Sequence, residues 1–393
     1  MYDAIVAGLG PAGSAAAYFL AKAGLKVLGV DKETFPRYKS CGGCISTKID
    51  GLFDFDISPA IEETVYGASF TYKSERPLDI ISERPIGYNV MRNTFDHLLL
   101  ASAREAGAEV VEGARVVSVE DSGASVKVGL HGARSCEARV LVGADGASGL
   151  IGRELFGLRP REAAVSITAE VPHKRELRDY SGRLFIDFGC VPHGYAWVFP
   201  KREFLSVGIA ASASKAGRIR EHFNAFASSH AVLKGLKTGP TTGWTVPVYY
   251  DGAPSPVKGR VVLVGDTGHL VEPFLGEGIY YAAFTAKAAS SVILDYIGGK
   301  AGLEAYPERL EAEVLPGFRS ALKLSDLVYN YPRLWYGIIE RDPQIMLRYY
   351  DVIRGVEECS AFYSWALDKV KSKPWKVLRS WIETRFARPE RAG

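Results

Sequence analysis

No uninterrupted apolar run in the chain approaches the roughly 18 residues that a membrane-crossing helix needs, which argues against a transmembrane span. No basic stretch precedes the first apolar segment either, so a cleaved secretory leader is not expected. Charge of one sign is missing: 48 Lys and Arg against 45 Asp and Glu leave +3, and nothing global points to nucleic acid. Cysteine is scarce. Of the five, only Cys41 and Cys44 form a CxxC pair, while Cys136, Cys190 and Cys359 are isolated, so the second pair of a four-thiolate zinc site is lacking and no metal is expected. Reduced thiols and a cytoplasmic location follow as expectations. Internal repeats and low-complexity linkers are also absent, which leaves 393 residues for two or three domains with a substantial core.

What is present is a fixed order of glycine-and-acid motifs, each following an apolar, β-branched run. The first is Gly8-Leu9-Gly10-Pro11-Ala12-Gly13. The pattern predicts a strand over Asp3–Ala7, an Ala-rich helix over Ser14–Ala23 and a second strand over Lys26–Val30 ending at Asp31. That is one βαβ unit of about thirty residues. Gly8 permits the tight turn, Gly10 lets a pyrophosphate approach the backbone, and Gly13 allows close helix packing; the helix N-terminus offers N–H groups to the phosphates. Asp31 is placed to accept from ribose hydroxyls. Ala12 inside the turn, Lys32 beside Asp31 and Val117 are assigned to the same cofactor site.

The other motifs are Gly143-Ala144-Asp145-Gly146, Gly265-Asp266 and Gly276-Glu277-Gly278-Ile279. Arg139–Ala144 before Asp145-Gly146, and Arg260–Val264 before Gly265-Asp266, resemble the DG and GD fingerprints of FAD enzymes related to para-hydroxybenzoate hydroxylase. That resemblance implies FAD as cofactor, Asp266 on its ribityl chain, and Asp145 and Gly146 among its surroundings. A helix beginning near Gly276 would aim its N-terminus at the ligand, where partial positive charge stabilises the anionic ring of a reduced flavin; Gly276, Gly278 and Ile279 are therefore cofactor-binding candidates. Met91-Arg92-Asn93-Thr94-Phe95-Asp96 is a further likeness, and it implies that Arg92 contacts the phosphate region.

Two segments are similar to the geranylgeranyl reductase family, whose members hydrogenate isolated double bonds in prenyl chains of lipids, chlorophyll side chains or quinones. They are Phe35-Pro36-Arg37-Tyr38-Lys39-Ser40-Cys41-Gly42-Gly43-Cys44-Ile45-Ser46 and Pro192-His193-Gly194-Tyr195-Ala196-Trp197-Val198-Phe199-Pro200. The resemblance implies a Cys-Gly-Gly loop beside the flavin, with Cys41, Gly42 and Cys44 as cofactor neighbours, and an aromatic strand over the substrate. The chain departs from the pattern with Ser40 where proline usually stands, and with the extra Cys44. Tyr195, Trp197 and Phe199 recur at period two and so share one face of a sheet, either as plain core or as the wall of a hydrocarbon pocket.

An isolated alkene is not electrophilic, so a proton must arrive before or with the hydride from flavin N5, in a dry pocket. Cys41 and Tyr195, directly or through water, are the candidate catalytic donors. With one dinucleotide fingerprint, NAD(P)H would have to bind transiently; a small reduced iron–sulfur protein is an equal candidate donor. A flavin monooxygenase is the alternative function. A flavin halogenase is a weaker one, since Tyr195–Pro200 replaces the WxWxIP signature, and a non-catalytic flavin-binding module is the last.

The expected fold class is α/β (α+β): a Rossmann-type FAD domain with a parallel sheet (1–50, 88–160 and 255–298), an antiparallel-sheet substrate domain (51–87 and 161–254) and a C-terminal helical region (299–393). A hairpin is expected over Ala114–Leu130, turning at Asp121-Ser122-Gly123. In 361–393, eight Lys and Arg stand against three acids. Trp375, Leu378, Trp381 and Ile382 would share a helix face there, which is either packed on the body or laid on an anionic membrane at its periphery.

Overall fold

The structure, a computed structural model, describes residues 1–132, 134–159, 163–173 and 180–372. The basic aromatic segment expected to form a surface helix lies almost wholly in 373–393, outside the described residues. Among the described residues no helix is long and apolar enough to cross a membrane.

The chain has the mixed α/β architecture of a Rossmann-type flavin fold. Its eight-stranded sheet runs in the order Val257–Lys258, Val261–Leu263, Arg134–Gly143, Tyr2–Ala7, Val27–Val30, Glu109–Val111, with the hairpin Val116–Asp121 and Val126–Leu130 attached to Arg134–Gly143. The central pairings are parallel, and their register is what matters for function. Ala7 pairs with Gly143 and Gly143 with Leu263, so the glycine turn, the Asp145 loop and the Gly265-Asp266 loop leave the sheet side by side at one end. Open parallel sheets bind ligands at the carboxyl ends of their strands.

The first helix, Pro11–Lys22, is small-sided because it must pass close to both neighbours. A Cβ on Gly13 would sit 1.7 Å from the Gly8 carbonyl oxygen, and one on Gly8, at φ +92°, would sit 2.3 Å from that of Ala144. Either glycine replaced would force the turn off the sheet. Against this helix lies Ile279–Ile297, which also turns alanines inward (Ala282, Ala283, Ala286, Ala289). It starts three residues beyond the expected Gly276, because Gly276 takes φ +70° and ends a tight turn in which its N–H donates to the Glu272 carbonyl.

The second sheet has seven strands: Thr242–Val246, Ala164–Pro172, Phe204–Ser212, Gly194–Pro200, Arg183–Phe188, Gly67–Tyr72 and Glu75–Ile81. It is antiparallel, as expected, except for one parallel seam where Arg183–Phe188 meets Gly67–Tyr72. Its faces are covered differently. Ala196, Val198, Val207 and Ile209 pack under Phe223 and Phe226 of the helix Ile219–Ser229. Trp197 and Phe199 face the other way, toward the C-terminal helices Leu315–Asn330, Pro332–Arg341, Gln344–Arg354 and Cys359–Ser372. Each large apolar side chain buried there contributes about 1.5–3 kcal/mol. Tyr350 fixes the arrangement at the sheet edge: its hydroxyl accepts from Ala68 N–H at 3.1 Å and donates to the Ile80 carbonyl at 2.8 Å. A small third sheet of Cys44–Ser46, Gly87–Val90 and Ile61–Val65, not anticipated from the sequence, ties the cysteine loop to the segment between the two larger sheets.

Candidate functional site

One continuous cavity of about 1300 Å³ runs from the glycine turn to the C-terminal helices. At the turn end, Asp31 ties the loop down: its carboxylate accepts from Leu9 N–H at 2.6 Å and Glu33 N–H at 2.8 Å. Gly10 leaves the space over the helix N-terminus open, with Arg37 Nη2, at 3.4 Å, the only group within 4 Å of a built Cβ among the described residues. Lys32 and Val117 stand at the rim, both substantially exposed. The Asp145 carboxylate accepts from Ile151 N–H at 3.0 Å and keeps its buried Oδ1 unpartnered; burial pushes its carboxyl up. Gly146 N–H is held by Thr267 at 2.7 Å, which joins the DG loop to the GD loop. Asp266 lines the cavity from the short 3-10 turn Gly265–Gly268, and a Cβ on Gly278 would stand 3.6 Å from its Oδ1. The N-terminus of the helix at Ile279 therefore points into the same corner as Asp266.

Arg92 does not lie free toward the phosphate turn. It chelates Asp96 through Nε and Nη2, each at 2.8 Å, and also reaches the Cys41 side chain; these partners overcome burial and push the guanidinium up. Arg37, which stands near Gly10, shares the same Asp96 at 3.1 Å and leaves a buried Nη1 unpartnered. Arg37 is thus the cation that the geometry brings to the glycine turn, and the sequence reading passed over it. The only sequence signal was its place in the loop after the acid that closes the βαβ unit. Arg37→Met should weaken FAD about ten- to a hundredfold, as loss of one charge-assisted hydrogen bond would, measured by titrating apoprotein with FAD.

The loop Cys41–Cys44 runs between this cofactor end and the second sheet. Both thiols are free, and Gly43 N–H lies 3.4 Å from Cys41 Sγ. Gly42 must be glycine, because a Cβ there would come within 2.8 Å of Phe199 and 3.3 Å of the Trp197 indole nitrogen. Burial pushes the Cys44 thiol up to about 12, so it stands as a neutral thiol on the cavity wall. Behind the loop lies Lys201, 1% exposed, whose ammonium donates to the Gly43 carbonyl at 2.7 Å; burial pulls it down to about 8. Ser206 Oγ completes the clamp, donating to the Cys41 carbonyl at 3.3 Å and accepting from Trp197 Nε1 at 3.4 Å. Lys201, like Arg37, was not anticipated.

The three aromatic residues of the Gly194–Pro200 strand all line the cavity, with Trp197 centred 5.9 Å from each of the other two rings. The indole lies over Gly208, where a Cβ would meet it at 2.1 Å. Tyr195 is fixed twice: it stacks on Tyr329 and donates its hydroxyl proton to the Leu275 carbonyl at 2.6 Å. Burial, reinforced by Glu272, pushes its phenol up, so it is a poorer acid than a free tyrosine. Tyr329 in turn donates to the Phe274 carbonyl, and Glu272 accepts from Phe274 N–H at 2.9 Å and Leu275 N–H at 2.6 Å. The far wall comes from Trp335, Met346, Tyr349 and Tyr350 of the C-terminal helices, whose role could not be read from the sequence. The site thus has a glycine-and-helix cradle for a dinucleotide, opening into an aromatic chamber.

The FAD binding domain family model matches residues 1–312. A digeranylgeranylglycerophospholipid reductase of Methanopyrus kandleri is 30% identical over 363 residues, covering 83% of this chain and 90% of the relative. Among solved structures, a geranylgeranyl bacteriochlorophyll reductase-like protein from Thermoplasma acidophilum superposes with a TM-score of 0.76 at 22% identity, covering 98% of this chain and 99% of the other. A flavin-dependent brominase superposes with a TM-score of 0.74 at 20% identity, covering 95% and 99%. The two structural likenesses establish a shared fold, which therefore carries more than one flavin chemistry.

Proposed function

The chain belongs to the FAD binding domain family and, within it, to the FAD-dependent oxidoreductases of the geranylgeranyl reductase family, and from this premise we propose that it saturates isolated C=C bonds of a prenyl chain. The observation that carries the reading is the continuity of the cavity, from the dinucleotide cradle past the cysteine loop into a chamber walled by Tyr195, Trp197, Phe199, Trp335 and Tyr349. A hydrocarbon chain fits such a chamber, because its burial gains roughly 0.8 kcal/mol per CH₂.

The residues present fit FAD: the open backbone at Gly10, the unpartnered Arg37 and Asp145 atoms and the paired helix N-termini are the donors and acceptors a dinucleotide needs. Bound there, FAD supplies the hydride. The chain does the rest. Asp31, Arg37 and Asp266 hold the cofactor, and the aromatic wall keeps water from the alkene. Tyr195 acts as a fixed part of that wall, since its proton is already given to Leu275. Cys41, held by the Lys201–Gly43 and Ser206–Cys41 bonds and approached by Arg92, keeps the proton-delivery role, directly or through one water. The electrons come from NAD(P)H or a small reduced iron–sulfur protein that docks transiently.

The test is anaerobic. Protein reduced with dithionite and mixed with a geranylgeranyl substrate in D₂O should give a saturated product carrying two deuteriums per reduced bond, since dithionite supplies only electrons and both hydrogens come from solvent. Absence of saturation with prenyl alcohols, diphosphates and quinones, or ¹⁸O₂ incorporation in air, would replace the reductase by a monooxygenase. Cys41→Ser should keep FAD and slow saturation about ten- to a hundredfold more than flavin reduction. Equal rates would leave Cys41 a spacer.

A further inference from the structure

We propose that Lys39 sets the reduction potential of the bound flavin, its ammonium holding the negative charge that reduction adds to the ring. This rests on the FAD reading above. Lys39 sits two residues before Cys41 and lines the cavity. Its Nζ lies 3.4 Å from the centroid of the Trp244 ring, and among the described residues it makes no hydrogen bond or ion pair.

Its surroundings are unbalanced. The charged groups that act on it are Arg92 and Arg37, which repel it, and Asp266 and Cys41, which attract it. Both arginines are already neutralised in part by Asp96, which each of them contacts. Lys39 has no such close partner. Burial, followed by repulsion from Arg92, brings it down to about 8, so the site as built holds a cation at a cost. A cation kept partly desolvated, unpaired and facing a cavity is a site for an anion.

Position decides which anion. The dinucleotide's phosphates belong over Gly10, where the first helix begins and Arg37 stands. Besides the two arginines, the charged groups that act on Lys39 are Asp266 and Cys41, and Asp266 adjoins Gly278 at the N-terminus of the helix at Ile279. Two-electron reduction of the neutral ring with uptake of one proton, which goes to N5, leaves one negative charge on the ring. The ammonium and the helix terminus meet that charge together, and Trp244 fixes the ammonium's direction through its π face. Lys39 thus favours the reduced form over the oxidised one and raises the potential.

The experiment is a dithionite titration of the FAD-loaded protein against a reference dye, with Lys39→Met and Lys39→Arg beside the wild type, and a separate titration of each apoprotein with oxidised FAD. Lys39→Met should bind oxidised FAD within about threefold of wild type yet lose at least tenfold in the affinity for reduced relative to oxidised FAD, which is about 30 mV lower in a two-electron couple. Lys39→Arg should recover most of that shift. A merely structural lysine would weaken both redox forms alike and leave the potential unchanged, and that result overturns the proposal. Wild-type apoprotein that binds no FAD would instead overturn the cofactor assignment on which it rests.

Discussion

Asp266→Ala should lose FAD, with affinity down about ten- to a hundredfold, because a hydrogen bond to a charged group is worth roughly 1.5–3 kcal/mol. The carboxylate stands at the mouth of a strand whose neighbours are fixed by parallel register, so nothing nearby can move in to replace it. Gly265 packs its α-carbon against Ala12 and Ala282, where a Cβ would come within 2.9 Å and 3.2 Å of their side chains, so the loop cannot shift. Purified mutant should be nearly colourless where the wild type is yellow. Stoichiometric FAD in Asp266→Ala would remove the ribityl contact from this residue.

The second large effect is in stability. Glu272 is buried, and burial pushes its carboxyl up to about 7 from the ordinary 4.5, with Glu277 adding to the rise and Lys48 and the two backbone N–H groups opposing it. Between those two values the folded protein holds a proton that the unfolded chain has released. Stability from this group is therefore complete below about 4.5 and is lost as pH rises through 7, by up to about 3 kcal/mol. Glu272→Gln cannot ionise, so the urea midpoint should depend less on pH between 5 and 7.5 than in the wild type. Identical slopes would show that the carboxyl titrates as if exposed. The consequence reaches the cavity, because the same carboxylate orients the Phe274–Leu275 backbone whose carbonyls receive Tyr329 and Tyr195.

The parts of this site that were legible in the sequence are those written in local rules. The glycine turn declares itself because only glycine tolerates φ +92° at Gly8 and a carbonyl 1.7 Å from a Cβ at Gly13. Tyr195, Trp197 and Phe199 point the same way because strand side chains alternate, and the pleat is strict. Lys39, Arg37 and Lys201 were not legible. A long cation in a loop or just past a strand looks like a solvated surface residue, and what it meets depends on strands and helices remote in sequence: Asp96 for Arg37, Trp244 for Lys39, Gly43 for Lys201. The far wall of the chamber was hidden for a related reason. Trp335, Met346 and Tyr349 lie on amphipathic helices whose pattern fits any apolar surface, and only the uncovered face of the seven-stranded sheet decides which one they cover.

The parallel register that gathers the cofactor loops also sets a timetable for the nascent chain. Tyr2–Ala7 has no partner on one side until Arg134–Gly143 has been made, and that strand in turn waits for Val261–Leu263. At about 5–20 residues per second, the first strand spends roughly six to twenty-seven seconds with an open edge, and the cradle closes only when the helix at Ile279 arrives. Meanwhile the strands of the other sheet between Arg183 and Ser212 can pair among themselves as they emerge, since each antiparallel neighbour is near in sequence. The flavin therefore meets a chain whose aromatic chamber is half built before its own cradle exists.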